Sequence, residues 1–133
     1  MDPQHAAVAA ACLRGAADNT MSFPQIIGAL MAAGFEGYAV DFRSATTTYY
    51  RPDGEVLALA AHPPEGPVAS AFDPAAIRAA IREAQLQVPG YAYAGFCRKV
   101  AAAGCAGYVV SFLGRRALYI GRTGATLEEP FPA

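Results

Sequence analysis

Charge is scarce in this chain. Asp, Glu, Lys and Arg make up 16% of its 133 residues and the formal net charge is -1, so the basic stripe that grips a phosphate backbone is missing. The densest basic pair, Arg115-Arg116, falls where a turn is predicted. No stretch approaches the roughly 20 apolar residues a membrane helix needs. Met1-Asp2-Pro3-Gln4 lacks the basic start and apolar run of a secretion signal. No nucleic-acid or membrane partner is expected, and the expected location is cytoplasmic. Cysteine is rare too: three residues without C-x-x-C spacing fit neither a disulfide framework nor a zinc site. The two histidines, His5 and His62, lie far apart, and no carboxylate spacing completes a metal site. Gly121-x-x-Gly124 is half of a phosphate loop, after a strand and before no helix. No metal and no cofactor are expected.

What is present is said twice. Ala32-Ala33-Gly34-Phe35-Glu36-Gly37-Tyr38-Ala39-Val40-Asp41-Phe42 aligns without a gap on Ala102-Ala103-Gly104-Cys105-Ala106-Gly107-Tyr108-Val109-Val110-Ser111-Phe112, seventy residues on. The register continues through Tyr49/Tyr119 to Gly54/Gly124 and back to Ala9-Ala10 against Ala79-Ala80. A repeat of this length makes each copy one supersecondary unit with an equivalent apolar face.

Asp2-Pro3 and Asp73-Pro74 each supply an N-cap followed by proline at the first helical position. They predict helices to about Ala17 and Gln85. Ile77 and Ile81 make a stripe on the second; Ala7 and Ala11 stand in their places on the first, unless Val8, Cys12 and Leu13 take over. Ser22-Phe23-Pro24-Gln25 is a capping-box sequence opening a shorter helix, whose counterpart runs from about Tyr93 to Ala103. Gly34 and Gly104 end these helices where a left-handed backbone is needed. The period then falls to two: Tyr38, Val40 and Phe42 alternate with Ala39, Asp41 and Arg43, and Tyr108, Val110 and Phe112 with Val109, Ser111 and Leu113. Return strands follow at Thr46–Arg51 and Arg116–Gly121, with third strands at Val56–Ala60 and Ala125–Pro130. The fold expected is α+β: one domain, 1–133, in which two helix-helix-meander units (about 3–62 and 73–132), joined by a Pro/Gly-rich connector at 62–71, share one antiparallel sheet across a pseudo-two-fold. The helices pack on one side of it.

These residues also carry a family resemblance. Phe23-Pro24, Thr48-Tyr49-Tyr50, Pro52-Asp53-Gly54-Glu55, Phe96-Cys97, Gly104-Cys105-Ala106-Gly107-Tyr108, Gly114-Arg115-Arg116-Ala117 and Tyr119-Ile120-Gly121-Arg122-Thr123-Gly124 resemble the YdfO-like family over about residues 18–132. These are small bacterial proteins often labelled "phage envelope protein". The resemblance implies an internally duplicated α+β domain and no established activity.

Candidate chemistry is thin. Cys97 and Cys105 occupy the places of Ile27 and Phe35 in the other copy, which makes them core thiols rather than nucleophiles, and Cys12 is read likewise. Tyr38, Tyr108, Tyr49 and Tyr119 recur on the strand face that meets the helices; they form a buried polar network or line a cavity on the pseudo-axis. The opposite face divides into a polar half with Asp41, Arg43, Thr48 and Tyr50 and an apolar half with Val109, Leu113, Leu118 and Ile120. Either the termini and the connector cover that face or it meets a partner. The functional expectation is a non-catalytic module that binds a small molecule or a protein at the outer face or in the cleft between copies. Self-association as a homodimer is one alternative. An enzyme using Asp41 with Tyr50 or Arg43 is the other, and no catalytic residue is assigned.

Overall fold

A computed structural model describes residues 1–132, so only the last residue of the expected domain span lies outside the described part. The chain runs α1 (Pro3–Ala17), α2 (Phe23–Ala32), β1 (Gly37–Asp41), β2 (Thr46–Tyr50) and β3 (Val56–Ala60). It then repeats that order as α3 (Pro74–Leu86), α4 (Tyr93–Ala102), β4 (Cys105–Ser111), β5 (Arg116–Gly121) and β6 (Thr126–Pro130). Local chemistry explains the helix starts. The Asp2 carboxylate accepts from the Gln4 N–H at 2.7 Å and the Asp73 carboxylate from the Ala76 N–H at 3.1 Å. At α2 the box closes in both directions, with Ser22 accepting from the Gln25 N–H and the Gln25 side chain accepting from the Ser22 N–H. No side chain of its own caps α4; the Tyr93 N–H donates to Asn19 Oδ1 at 3.1 Å, which ties together the two interhelix loops.

The six strands form one antiparallel sheet in the order β3-β2-β1-β4-β5-β6. Its centre is the β1–β4 ladder, which pairs Tyr38 with Val110, Ala39 with Val109 and Val40 with Tyr108. Adding seventy to one member of each pair and subtracting it from the other returns a pair of the same ladder, so the seam is its own mirror about Ala39 and Val109. The flanking ladders repeat at the same spacing: Tyr38–Tyr49–Leu57 in one half and Tyr108–Tyr119–Leu127 in the other. Close approach at the seam requires glycine. A Cβ on Gly37 would strike the Val110 carbonyl oxygen, and one on Gly107 the Val40 carbonyl oxygen.

Alternation sends Tyr38, Val40, Thr47 and Tyr49, with Tyr108, Val110, Ala117, Tyr119 and Leu127, to the buried face. Leu30, Ile77 and Val100 meet them from the helices, fully buried. Side chains of this kind stabilise by about 1.5–3 kcal/mol each. Cys12, Cys97 and Cys105 are free and buried, as core thiols should be.

The long helices depart from the seventy-residue register. On α1 the buried stripe is Ala9, Cys12 and Gly15, while Ala7 and Ala11 are exposed. The stripe on α3 is Ile77, Ala80 and Ile81. The capping residues Asp2 and Asp73 stand seventy-one residues apart, and the two stripes do not coincide, because nothing on an alanine-rich helix fixes its rotation except packing. The connector is fastened at the end of α4: the Ala69 N–H, and just after it the Asp73 N–H, donate to the Ala101 and Ala103 carbonyls.

Gly34 (φ 88°) and Gly104 (φ 93°) both take the left-handed backbone expected at C′. Gly104 is also jammed: a Cβ there would fall on the Ala71 carbonyl oxygen, whereas one on Gly124 (φ 84°) would meet open space. Gly124→Ala should cost about 1–2 kcal/mol, the left-handed penalty alone. Gly104→Ala should cost at least twice that, because the connector must move. Thermal denaturation of the two variants checks this, and equal losses would contradict the close approach.

Candidate functional site

The sheet's helix-side face does not fill completely. Between the two helical hairpins and the strands lies a cavity of about 570 Å³. Small residues leave the room: Ala16 on α1, Ala84 on α3, and Thr47 and Ala117 on the sheet all line it. Large rings wall it. Tyr38, Tyr49, Tyr108 and Tyr119 rise from the sheet, and Tyr91 and Tyr93 close it from the α3–α4 loop and the start of α4. Tyr91 and Tyr93 stand seventy residues after Met21 and Phe23, which also line it, so one half contributes more hydroxyls than the other.

The rings hold each other in place. Tyr108 lies tilted against Tyr119 at 5.2 Å between centroids, Tyr38 against Tyr49 at 5.7 Å, and Tyr38 meets Tyr108 edge-on across the seam at 6.4 Å. Their hydroxyls are less settled. Tyr93 and Tyr108 share a hydrogen bond of 2.6 Å. Tyr38, Tyr49 and Tyr119 are 7%, 3% and 7% exposed, yet their hydroxyls have no partner among the described side chains and backbone groups. Their oxygens are also absent from the atoms sealed away from solvent, so they open on the cavity. A buried hydroxyl left unpaired costs on the order of 1–3 kcal/mol, which water or a ligand would relieve. Of the four strand tyrosines expected to pair in a network, Tyr108 has its hydroxyl partner outside the set, in Tyr93, and all four rings line the cavity.

One acidic group belongs to this site and was not singled out from the sequence. In β6, Leu127 and Glu129 point to the helix side and Thr126, Glu128 and Pro130 away from it. Glu129 faces Ala117 across the β5–β6 ladder and lines the cavity, and its Leu59 counterpart in the first half carries no charge. Its direction follows from the ladder, which sets it opposite the buried Ala117.

The outer face carries the residues marked from the sequence. Thr48, Val109 and Leu118 lie in one cross-strand row with Ala39 between Thr48 and Val109; Asp41 and Ile120 share the next row, separated by Gly107. Tyr50 stands beside Gly37 in the third row. Arg43 and Leu113 sit in the hairpin turns at opposite ends of the seam, so these two are not brought together. The Asp41 carboxylate is exposed and accepts from the Arg43 and Ser44 N–H groups at 2.9 and 3.3 Å, which makes it a turn cap. Val109 on this face is 37% exposed and Leu113 in its turn 79%, while Leu118 and Ile120 are half-buried. Among the described residues no group of three His, Cys, Asp or Glu could hold a metal ion, and no helix is long and apolar enough to cross a membrane.

Burial moves the thiols and the buried phenols of this region in one direction. Desolvation pushes the Cys97 and Cys105 thiols from 9.0 up to about 11 and the Tyr91 phenol from 10.0 up to about 12. It lifts Cys12 and Tyr49 as well, and Tyr38, Tyr93 and Tyr108 well above their ordinary value. Tyr119 is raised by burial first and then by neighbouring negative groups including Glu129. The neutral forms are therefore held by the fold, and the unfolded chain releases these protons first as pH rises. The associated stability is complete below about pH 9 and drains away through the folded values, each group contributing up to about 1.4 kcal/mol per pH unit. The melting temperature should be flat from neutral pH to about pH 9 and then drop by roughly 5 °C or more per pH unit. Thermal melts across this range test it; a flat profile up to about pH 11 would refute the sealed thiols.

No curated protein matches the chain. A family model described as protein of unknown function (DUF1398) matches residues 13–128, from within α1 to within β6. With nearly all of its sheet and helices inside that match, the chain belongs to the DUF1398 family.

Proposed function

We propose that the protein is a non-catalytic binding module whose small ligand occupies the tyrosine-walled cavity between the two halves. The observation that carries this reading is the combination of a roughly 570 Å³ cavity with three nearly buried tyrosine hydroxyls opening into it without protein partners. The size lies within the range of small-molecule sites, and the wall is mostly apolar with a few convergent polar groups. No covalent step is assigned, since the buried thiols are held protonated and inward. Within the family we place the chain among the YdfO-like members, on the motif residues quoted above, and read its halves as copies of one ancestral unit. The ladder registers that recur seventy residues apart support that reading.

N-phenyl-1-naphthylamine, an uncharged probe that brightens in apolar sites, tests the proposal. One saturable site per chain is expected, and Ala84→Trp, which fills the cavity from α3, should abolish the signal while circular dichroism stays unchanged. Undiminished binding to a folded Ala84→Trp protein would overturn the reading.

A second reading concerns the outer face, which we infer takes part in self-association. It is supported by an apolar strip in which exposed Val109 and half-buried Leu118 and Ile120 adjoin across β4 and β5, beside the polar half formed by Asp41, Arg43, Thr48 and Tyr50. A dimer is expected in sedimentation equilibrium. Leu118→Ser with Ile120→Ser should return a folded monomer; a wild-type monomer at the highest attainable concentration would remove this reading.

A further inference from the structure

The cavity's charge is one-sided. Among its lining residues Glu129 is the sole ionised side chain, and neither Lys, Arg nor His lines the wall. Glu129 is half-buried and has no ion pair among the described residues. Its one donor is the Gln85 side-chain amide, at a long 3.4 Å. Its neighbour Glu128, on the other face of β6, is paired with Arg116. Arg115, in the turn before β5, lies over the Phe131 ring, with its guanidinium carbon 5.8 Å from the ring centre. The strand thus spends its exposed carboxylate on an arginine and presents the inward one, without a cation, to the cavity.

The remaining polar groups fit the same sign. The hydroxyls of Tyr38, Tyr49 and Tyr119 offer lone pairs that can accept from an N–H donor, and the ring faces attract positive charge. An anion here would meet the Glu129 carboxylate with no compensating cation among the lining residues. A cation would find its counter-charge already in place.

We propose, resting on the cavity being the ligand site, that its occupant is a small organic cation: an amine with an apolar or aromatic body. Its ammonium group sits at the Glu129 end, and its body lies against the rings of Tyr38, Tyr108 and Tyr119. Glu129 is then the residue that sets specificity, and the tyrosines set shape.

Three probes with one body and different charges test this. 4-Phenylbutylamine, 4-phenylbutanol and 4-phenylbutyrate are titrated at neutral pH into the intact protein and followed by NMR shift changes at the cavity residues. The amine should bind at least about tenfold more tightly than the acid, with the alcohol between them, and its advantage should shrink as salt is raised. Glu129→Gln should bring the amine down to the affinity of the alcohol. If the acid binds as tightly as the amine, or if Glu129→Gln leaves the amine's advantage intact, the cation assignment falls while the cavity remains a ligand site. If none of the three shifts a cavity residue, the cavity reading falls as well.

Discussion

Everything in this molecule hangs on the antiparallel pairing of β1 with β4. That seam turns two three-stranded meanders, each with a face and two edges it could not cover alone, into one six-stranded sheet. Its register is reciprocal, so each half presents the other with the same edge. Gly37 and Gly107 permit the approach, because a side chain at either would collide with the opposing backbone. A slip of β1 by one residue against β4 would turn Tyr38 and Val40 to solvent and bring Ala39 and Asp41 inside. The burial of an aspartate would oppose such a slip strongly.

The cavity follows from that seam. Because the pairing sets Tyr38 beside Val110 and Tyr108 beside Val40, the two tyrosines meet diagonally across the axis rather than side by side. Their partners Tyr49 and Tyr119 extend the ring wall outward in both directions. Closing the space above would need bulk from the helices, and α1 is too poor in bulk to supply it: its buried stripe is alanine, cysteine and glycine. Stability is secured elsewhere, where Leu30, Ile77 and Val100 are fully buried. These fully buried side chains thus sit in the helical hairpins, while the cavity lies over the seam tyrosines.

Much of the architecture was legible in the sequence because it depends on signals of short range. Proline after a capping aspartate, the Ser22–Gln25 box, glycine after a helix and two-residue alternation each act within a few positions. The repeat added the long-range pairing, since equivalent strands at equivalent spacing can share a sheet. The rotation of α1 was not legible: alanine at 7, 9 and 11 has one hydropathy, and only packing decides that position 9 is buried while 7 and 11 are not. The site was half legible. The inward tyrosines were found by period, and a cavity among them was one of two alternatives left open. Which alternative holds depends on how far the helices stand from the sheet, a distance no local pattern encodes. Glu129 escaped because Thr126–Pro130 shows little alternation of its own; its direction becomes clear only from pairing with Ala117.

The two faces of the sheet divide the differences between the halves in opposite ways. On the outer face the first half is the polar one, with Asp41 and Thr48 against Val109 and Leu118. On the cavity face the order reverses: Met21, Phe23 and Leu59 in the first half stand where Tyr91, Tyr93 and Glu129 stand in the second. A pair of equivalent halves enclosing an axial space would offer a ligand two equal orientations. Substitution of apolar residues by tyrosine and glutamate on one side only removes that equality and gives the space a polar end. The register of the seam and the tyrosines that meet across it recur in both halves, whereas on both faces of the sheet side chains away from those tyrosines differ between them.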